Sequence, residues 1–280
     1  MAERPLERQT ALVTGATDGL GRALARELAA RGLTVVLHGR SEARLEDTQR
    51  EIRGATGSDR LHAHVADFSS LGEVRRLAQD VHREHARLDI LVNNAGIGGG
   101  PRGGEREESA DGYELRFAVN YLAPFLLTRL LLPLLRRSAP ARIVNVASAG
   151  QAPIDFEDVM LERTYDGMRA YAQSKLAQIM FTFELAERLR DIDGAVTVNA
   201  LHPASLMNTK MVYESFGYTT STIEEGVEAV LRLVIAPEVE GVTGRYFDGL
   251  REDRASGQAY DPAATRRLWK LSEELVGLGP

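Results

Sequence analysis

Short aliphatic and β-branched runs, alternating with longer helical stretches, are what most restrict the fold of this chain. They read "TALVT" (10–14), "TVVLH" (34–38), "LHAHV" (61–65), "DILVN" (89–93), "RIVNV" (142–146), "AVTVNA" (195–200) and "GRYF" (244–247). Between them lie segments of helical character, such as "GRALARELAARG", a polar stretch from Ser41, and one near 71–85. Such βαβα alternation predicts an α/β fold with one parallel sheet covered by helices on both faces, joined by right-handed crossovers. The only glycine-rich break, "GIGGGPRGG" (96–104), reads as a loop, so a single domain over 1–280 is expected. "DPAATRRLWKLSEELV" (261–276) starts with an Asp cap and a first-turn Pro, and predicts a closing helix.

Composition removes several classes of function. A net charge of −6, with acids and bases interspersed, lacks the basic stripe of a nucleic-acid binder. With 0 cysteines there is no disulfide, thiolate metal site or cysteine nucleophile. "MAERPLERQTALVTG" runs from charged residues straight into a strand, unlike a secretory signal. "FAVNYLAPFLLTRLLLPLL" (117–135) is interrupted by Asn120, Arg129 and two prolines, which predicts a buried helix rather than a membrane span. A cytoplasmic location is the expectation. His62 and His64 share a strand face and His82 and His85 stand three apart on a helix, but without a clear third ligand no metal site is expected.

"TGATDGLG" (14–21) joins the first strand to the first helix. Gly15, Gly19 and Gly21 there allow close backbone approach where a helix N-terminus can meet a phosphate. The spacing is G-x-x-x-G-x-G, not the common G-x-G-x-x-G of dinucleotide sites. The second strand ends "LHGR", with Arg40 where an acid would hold the adenosine ribose of NAD. An arginine fork suits the ribose phosphate of NADP(H) instead. "YAQSK" places Tyr171 and Lys175 at i and i+4, on one helix face, where a cation can lower the pKa of a phenol.

Taken in order, "TGATDGLG", "ADFSS", "NNAG" (93–96), "VN" (119–120), "IVNVAS" ending at Ser148, and "YAQSK" resemble the short-chain dehydrogenase/reductase superfamily. "LHGRSEARLE", the long interval from Ser148 to Tyr171, and "NALHPAS" look most like its retinol-dehydrogenase-like and WW-domain-oxidoreductase-like members. The resemblance covers roughly residues 8 to 250 and implies a Rossmann-type, doubly wound, seven-stranded parallel sheet in the order 3-2-1-4-5-6-7. It implies a catalytic group of Asn120, Ser148, Tyr171 and Lys175. Cofactor contacts would come from Gly15, Thr17, Asp18, Gly19, Leu20 and Gly21, from Arg40, and from Asp67 and Phe68. Asn93 to Gly96 would line the cleft, through Asn94, Ala95 and Gly96 above all; Tyr171, Lys175, Pro203, Ser205 and Thr209 complete the set. Family members usually carry Pro-Gly where this chain has Pro203-Ala204.

In this reading Tyr171 is the general acid/base, Ser148 a hydrogen-bond donor to the substrate oxygen, and Asn120 the organiser of a water near Lys175. The substrate loop spans about 202–222; Met207, Met211, Val212, Tyr213 and Phe216 give it an adaptable apolar surface suited to a hydrophobic small-molecule carbonyl or alcohol. Relatives often pair into homo-oligomers through the helices carrying Asn120 and Tyr171. The rival reading is a cofactor-binding regulatory or scaffold protein without turnover.

Overall fold

A computed structural model describes residues 5–101, 103–190 and 195–279. Met1 to Arg4 with the charged start of the chain, Arg102 of the glycine-rich loop, residues 191–194, Pro280, and the side chains of Ser215 and Phe216 lie outside the described residues.

Seven parallel strands form where the aliphatic runs stand: β1 Thr10–Val13, β2 Thr34–Gly39, β3 Leu61–Val65, β4 Ile90–Asn93, β5 Ala141–Val146, β6 Val196–His202 and β7 Arg245–Asp248. The sheet order is β3-β2-β1-β4-β5-β6-β7-β8, which corrects the expected strand count. The added β8, Arg251–Asp253, turns back antiparallel on β7 through Gly249 (φ +54°) and Leu250. Its three residues are all exposed, so no apolar run announced it. A positive-φ glycine in a two-residue connection is the local signal that it left.

Strand side chains alternate, and in β1, β2, β4, β5 and β6 both faces are covered, which is why those runs read as nearly continuously apolar. Leu12, Val36, Leu91, Ile143 and Val198 face a layer made of α3 (Leu71–Glu84), α5 (Ala123–Ser138), α6 (Gly167–Arg190) and α9 (Pro262–Leu275). Val13, Val35, Leu37, Val92 and Val144 face α1 (Gly19–Ala30), α2 (Glu42–Thr56) and α8 (Ile223–Ile235). The closing helix begins as expected: Asp261 caps it by accepting from the Ala263 N–H at 2.8 Å.

The apolar stretch around 117–135 is one helical rod, Leu115–Ser138, long and apolar enough by composition to cross a membrane, yet most of it lies inside the protein. It starts as α4 (Leu115–Phe117), passes through a π-helical turn at Ala118–Leu122, and continues as α5. Such wide turns interrupt the regular backbone ladder and re-aim one side chain, here Asn120 at the turn's centre. After β6, α7 (Lys210–Phe216) is a short inserted helix.

Candidate active site

The carboxyl ends of β1, β4 and β5 bring the glycine turn, the "NNAG" segment and Ser148 to one edge of the sheet. Gly15 (φ +66°) accepts no side chain: a Cβ would sit 2.9 Å from Ala95 Cα. On Gly21 a Cβ would meet the Gly15 carbonyl oxygen at 2.2 Å and Asn94 Nδ2 at 2.4 Å. The two segments are stitched together: Asn94 Nδ2 donates to the Thr14 and Gly15 carbonyls, and the Asn94 and Ala95 N–H groups donate to Thr14 Oγ1 at 3.0 Å. This shaped backbone, opening onto the N-terminus of α1, fits a dinucleotide pyrophosphate.

His38 supports the turn from below, a role that its sequence context left unread. Its Nδ1 accepts from the Gly15 N–H at 3.3 Å, and its Nε2 stands 3.0 Å from the Ala66 carbonyl oxygen, so the proton belongs on Nε2. Burial pushes the imidazole down to about 4 and keeps it neutral. The Phe68 ring stacks on it at 4.2 Å. Phe68 and Leu20 thus turn their side chains into the core, and each has only main chain to offer a cofactor.

Asp18 caps α1, accepting from the Gly19 N–H at 2.8 Å, and holds Arg44 at 2.9 Å. Burial opposes ionisation, but Arg44 and the Gly19 N–H outweigh it and hold the Asp18 carboxyl below the usual range. Arg44 also donates to the Thr17 carbonyl at 3.2 Å, which brings its guanidinium to the glycine turn, while Arg40, the residue after β2, is exposed. Asp67 accepts from the Ser69 N–H at 2.9 Å and its own N–H donates to Glu73 Oε2 at 2.6 Å.

Asn93 departs from expectation. Only 1% exposed, it donates to Thr128 Oγ1 at 2.9 Å and Asn145 Oδ1 at 2.8 Å, and ties β4 to β5 and α5 rather than lining the cleft. The cleft side falls to Asn94, Ala95 and Gly96. A Cβ on Gly96 would lie 3.2 Å from Asn120 Oδ1 and 3.6 Å from Lys175 Nζ, so the missing side chain leaves that corner open.

Asn120 from the π-helical turn, Ser148 from the loop after β5, and Tyr171 and Lys175 from α6 gather around this corner. Asn120 is fully buried; it accepts from the Ile97 N–H at 2.8 Å and donates to the Ile97 carbonyl and Ser174 Oγ, each at 3.0 Å. Tyr171 and Ser148 stand side by side: a Cβ on Gly150 would lie 3.5 Å from Ser148 Oγ and 3.9 Å from Tyr171 Cε1. Ser148 Oγ accepts from the Gly150 N–H at 3.0 Å, and its carbonyl receives Tyr246 Oη at 3.2 Å and Gln151 Nε2 at 3.1 Å. Lys175 is buried, donating to the Val146 carbonyl at 2.9 Å and to Gln178 Oε1 at 3.0 Å.

The electrostatics differ from the simple picture of a lysine acidifying a tyrosine. Burial raises the Tyr171 phenol above its ordinary value, and the Ser148 side chain opposes that rise. Burial also pushes Lys175 down to about 7. The chain alone therefore favours a neutral phenol beside an ammonium that loses its proton easily. Gln178, one turn beyond Lys175, and Tyr246 and Gln151 beneath Ser148 were not singled out in the sequence. The i, i+3 spacing of Lys175 and Gln178 is a signal that could have found the first.

Beyond β6, Ala204 does not occupy the left-handed region, so the alanine is tolerated where relatives use glycine. Leu206 takes a positive φ (+49°) instead. Ser205 Oγ pairs with His202 Nε2 at 3.1 Å. Thr209 caps α7 through the Val212 N–H at 3.4 Å and packs against Gly19, joining the loop to the glycine turn. Of the loop's apolar residues, Met207 packs inward against Gly226, whereas Tyr213 is 60% exposed.

The short chain dehydrogenase family model matches residues 9–217. Mouse retinol dehydrogenase 13 is 41% identical over 96% of this chain and 84% of its own. A short chain dehydrogenase from Shigella flexneri 2a, solved as a complex with NADP, superimposes with a TM-score of 0.71 at 27% identity, covering 88% of this chain and 99% of its own. A 3-ketoacyl-(acyl-carrier-protein) reductase from Brucella melitensis, complexed with NADH, gives 0.70 at 27% identity, covering 87% and 97%.

Proposed function

The chain belongs to the short-chain dehydrogenase family, and from that premise we propose that it interconverts an apolar carbonyl and its alcohol with NADP(H). The observation that carries this reading is the meeting of the Tyr171 phenol with Ser148 at the corner left open by Gly96, beside Lys175 and Asn120. A nicotinamide dinucleotide, when bound, supplies or takes up the hydride.

The chain's own residues would handle the proton and the charge. In reduction, Tyr171 gives its proton to the carbonyl oxygen as negative charge develops there, and the Ser148 hydroxyl stabilises that charge by donating a hydrogen bond. Lys175 then faces the nascent phenolate with a positive charge and lowers the cost of forming it. Its anchors, the Val146 carbonyl and Gln178, set where that charge sits. Asn120, locked to Ile97, keeps the floor of the site fixed. Oxidation runs the same proton path backwards.

The exposed Arg40, just after β2, supports NADP(H) over NAD(H), because a guanidinium there suits a ribose phosphate; Arg44, paired with Asp18, lies at the glycine turn. The solvent-facing Tyr213 and Tyr218 at the loop after β6 support a hydrophobic substrate, and the retinol dehydrogenase relative makes retinal the first probe. The test is NADPH consumption by the purified chain with retinal and a series of apolar aldehydes and ketones, repeated with NADH. Turnover with NADPH is expected. Tight NADPH binding with no turnover across the series would replace this reading with that of a cofactor-dependent regulatory protein.

A further inference from the structure

At the opposite edge of the sheet from β8, strand β3 pairs with β2 alone, and α3 ends beside it. There the fold brings together residues that the sequence left as two unrelated histidine pairs. One ligand atom each from His64, Glu84 and His85 lie within 4.8 Å of one another. His64 Nε2 stands 3.7 Å from Glu84 Oε2. His62, on the same strand face as His64, presents its ring edge-on to His85 with centroids 4.8 Å apart. His82 is not part of the group, since its Nε2 meets the Leu130 carbonyl at 2.9 Å.

A packed-histidine account leaves two atoms unexplained. His64 and His85 are 8% and 7% exposed, yet the Nε2 of each is buried with no hydrogen-bond partner among the described residues. Buried imidazole nitrogens are ordinarily satisfied. These two belong to side chains that converge with a carboxylate oxygen, and an N, N, O set is the chemistry of a borderline divalent cation such as Zn²⁺. Glu84 is prepared for such a role: Arg83 holds its Oε1 at 2.8 Å and so directs Oε2 toward His64. Glu84 is also the last residue of α3, where the partial negative charge of the helix end favours a cation.

We propose that His64, Glu84 and His85 form a Zn²⁺ site that clamps the edge strand β3 to the C-terminus of α3, with His62 or water as the fourth ligand. Tetrahedral zinc sets its ligand atoms about 3.4 Å apart, so the 3.7 Å pair is nearly placed and the 4.8 Å separation closes by side-chain rotation. His64 is the register partner of His38, which supports the glycine turn, so the test reads Zn²⁺ binding directly and not turnover.

The test uses the untagged full chain, stripped of metal by chelation, titrated with Zn²⁺ alone. One equivalent should bind saturably, raise the thermal midpoint, and shift the imidazole nitrogen resonances of His64 and His85. Glu84→Gln alters a partly exposed carboxylate and should leave the fold intact while weakening Zn²⁺ at least tenfold. His85→Asn should abolish the binding. Absence of a saturable single site, unchanged affinity in Glu84→Gln, or unmoved His64 and His85 resonances in the wild-type chain would each overturn the proposal.

Discussion

The Lys175 ammonium lies 5.7 Å from the centroid of the Tyr171 ring, and its hydrogen bonds run to the Val146 carbonyl and Gln178 instead of to the phenol. One helix face does carry both groups, as the i, i+4 spacing predicts. Their coupling in the chain alone is through space, and burial governs each of them: it raises the phenol and lowers the ammonium. A bound dinucleotide and a developing phenolate are what would convert this arrangement into an acid of useful strength.

Replacing the phenol isolates the proton step. Tyr171→Phe should lower kcat by about 10²- to 10⁴-fold while NADPH affinity stays within about twofold. Steady-state rates and a fluorescence titration of NADPH measure the two separately. Retention of most of the activity would remove Tyr171 from the acid/base role.

Stability should depend on pH through Lys175. Its pKa falls from 10.5 to about 7 on folding, so between those values the unfolded chain binds more protons than the folded one. Stability contributed through this group is lowest below about pH 7 and rises as pH climbs toward the unfolded pKa. The cofactor-free chain should show a thermal midpoint with a more positive pH slope between about pH 7 and pH 9.5 than Lys175→Met, in which this contribution disappears. Parallel slopes would show that the lysine stays protonated in the folded chain.

Cofactor choice should rest on the Arg40 guanidinium. Arg40→Ala should raise the KM for NADPH by about 10- to 100-fold, the scale of a lost charge-assisted hydrogen bond, with little change for NADH. Arg40→Asp should push the preference further toward NADH. Equal losses with both cofactors would show that Arg40 acts on the fold of the turn and not on the ribose phosphate.

Two glycine-to-alanine changes should act in opposite directions. Gly21→Ala drives a Cβ against the Gly15 carbonyl, which is backbone and cannot step aside; it should destabilise by about 1–3 kcal/mol and weaken NADPH. Gly54 lies inside α2, where an added Cβ would meet nothing within 4 Å, so Gly54→Ala should stabilise by about 0.5–1 kcal/mol. Chemical denaturation of both variants beside the wild type decides the matter.

The amino-acid order alone carried the strand-helix alternation, the glycine turn, Arg40 at the end of β2, and the helix bearing Tyr171 and Lys175, because each is a local pattern with a period of two or about four residues. What tertiary structure decided lies between segments distant along the chain. Asn93 turned away from the cleft because Thr128 and Asn145 arrive beside it from other elements. His38 became the support of the glycine turn only once Gly15 and Ala66 met it. Burial reset the acidities of Tyr171 and Lys175, and burial depends on what packs above a residue. The histidines at the β3 edge follow the same rule: the sequence shows two pairs, and only the docking of α3 against β3 sets His64, Glu84 and His85 around one point.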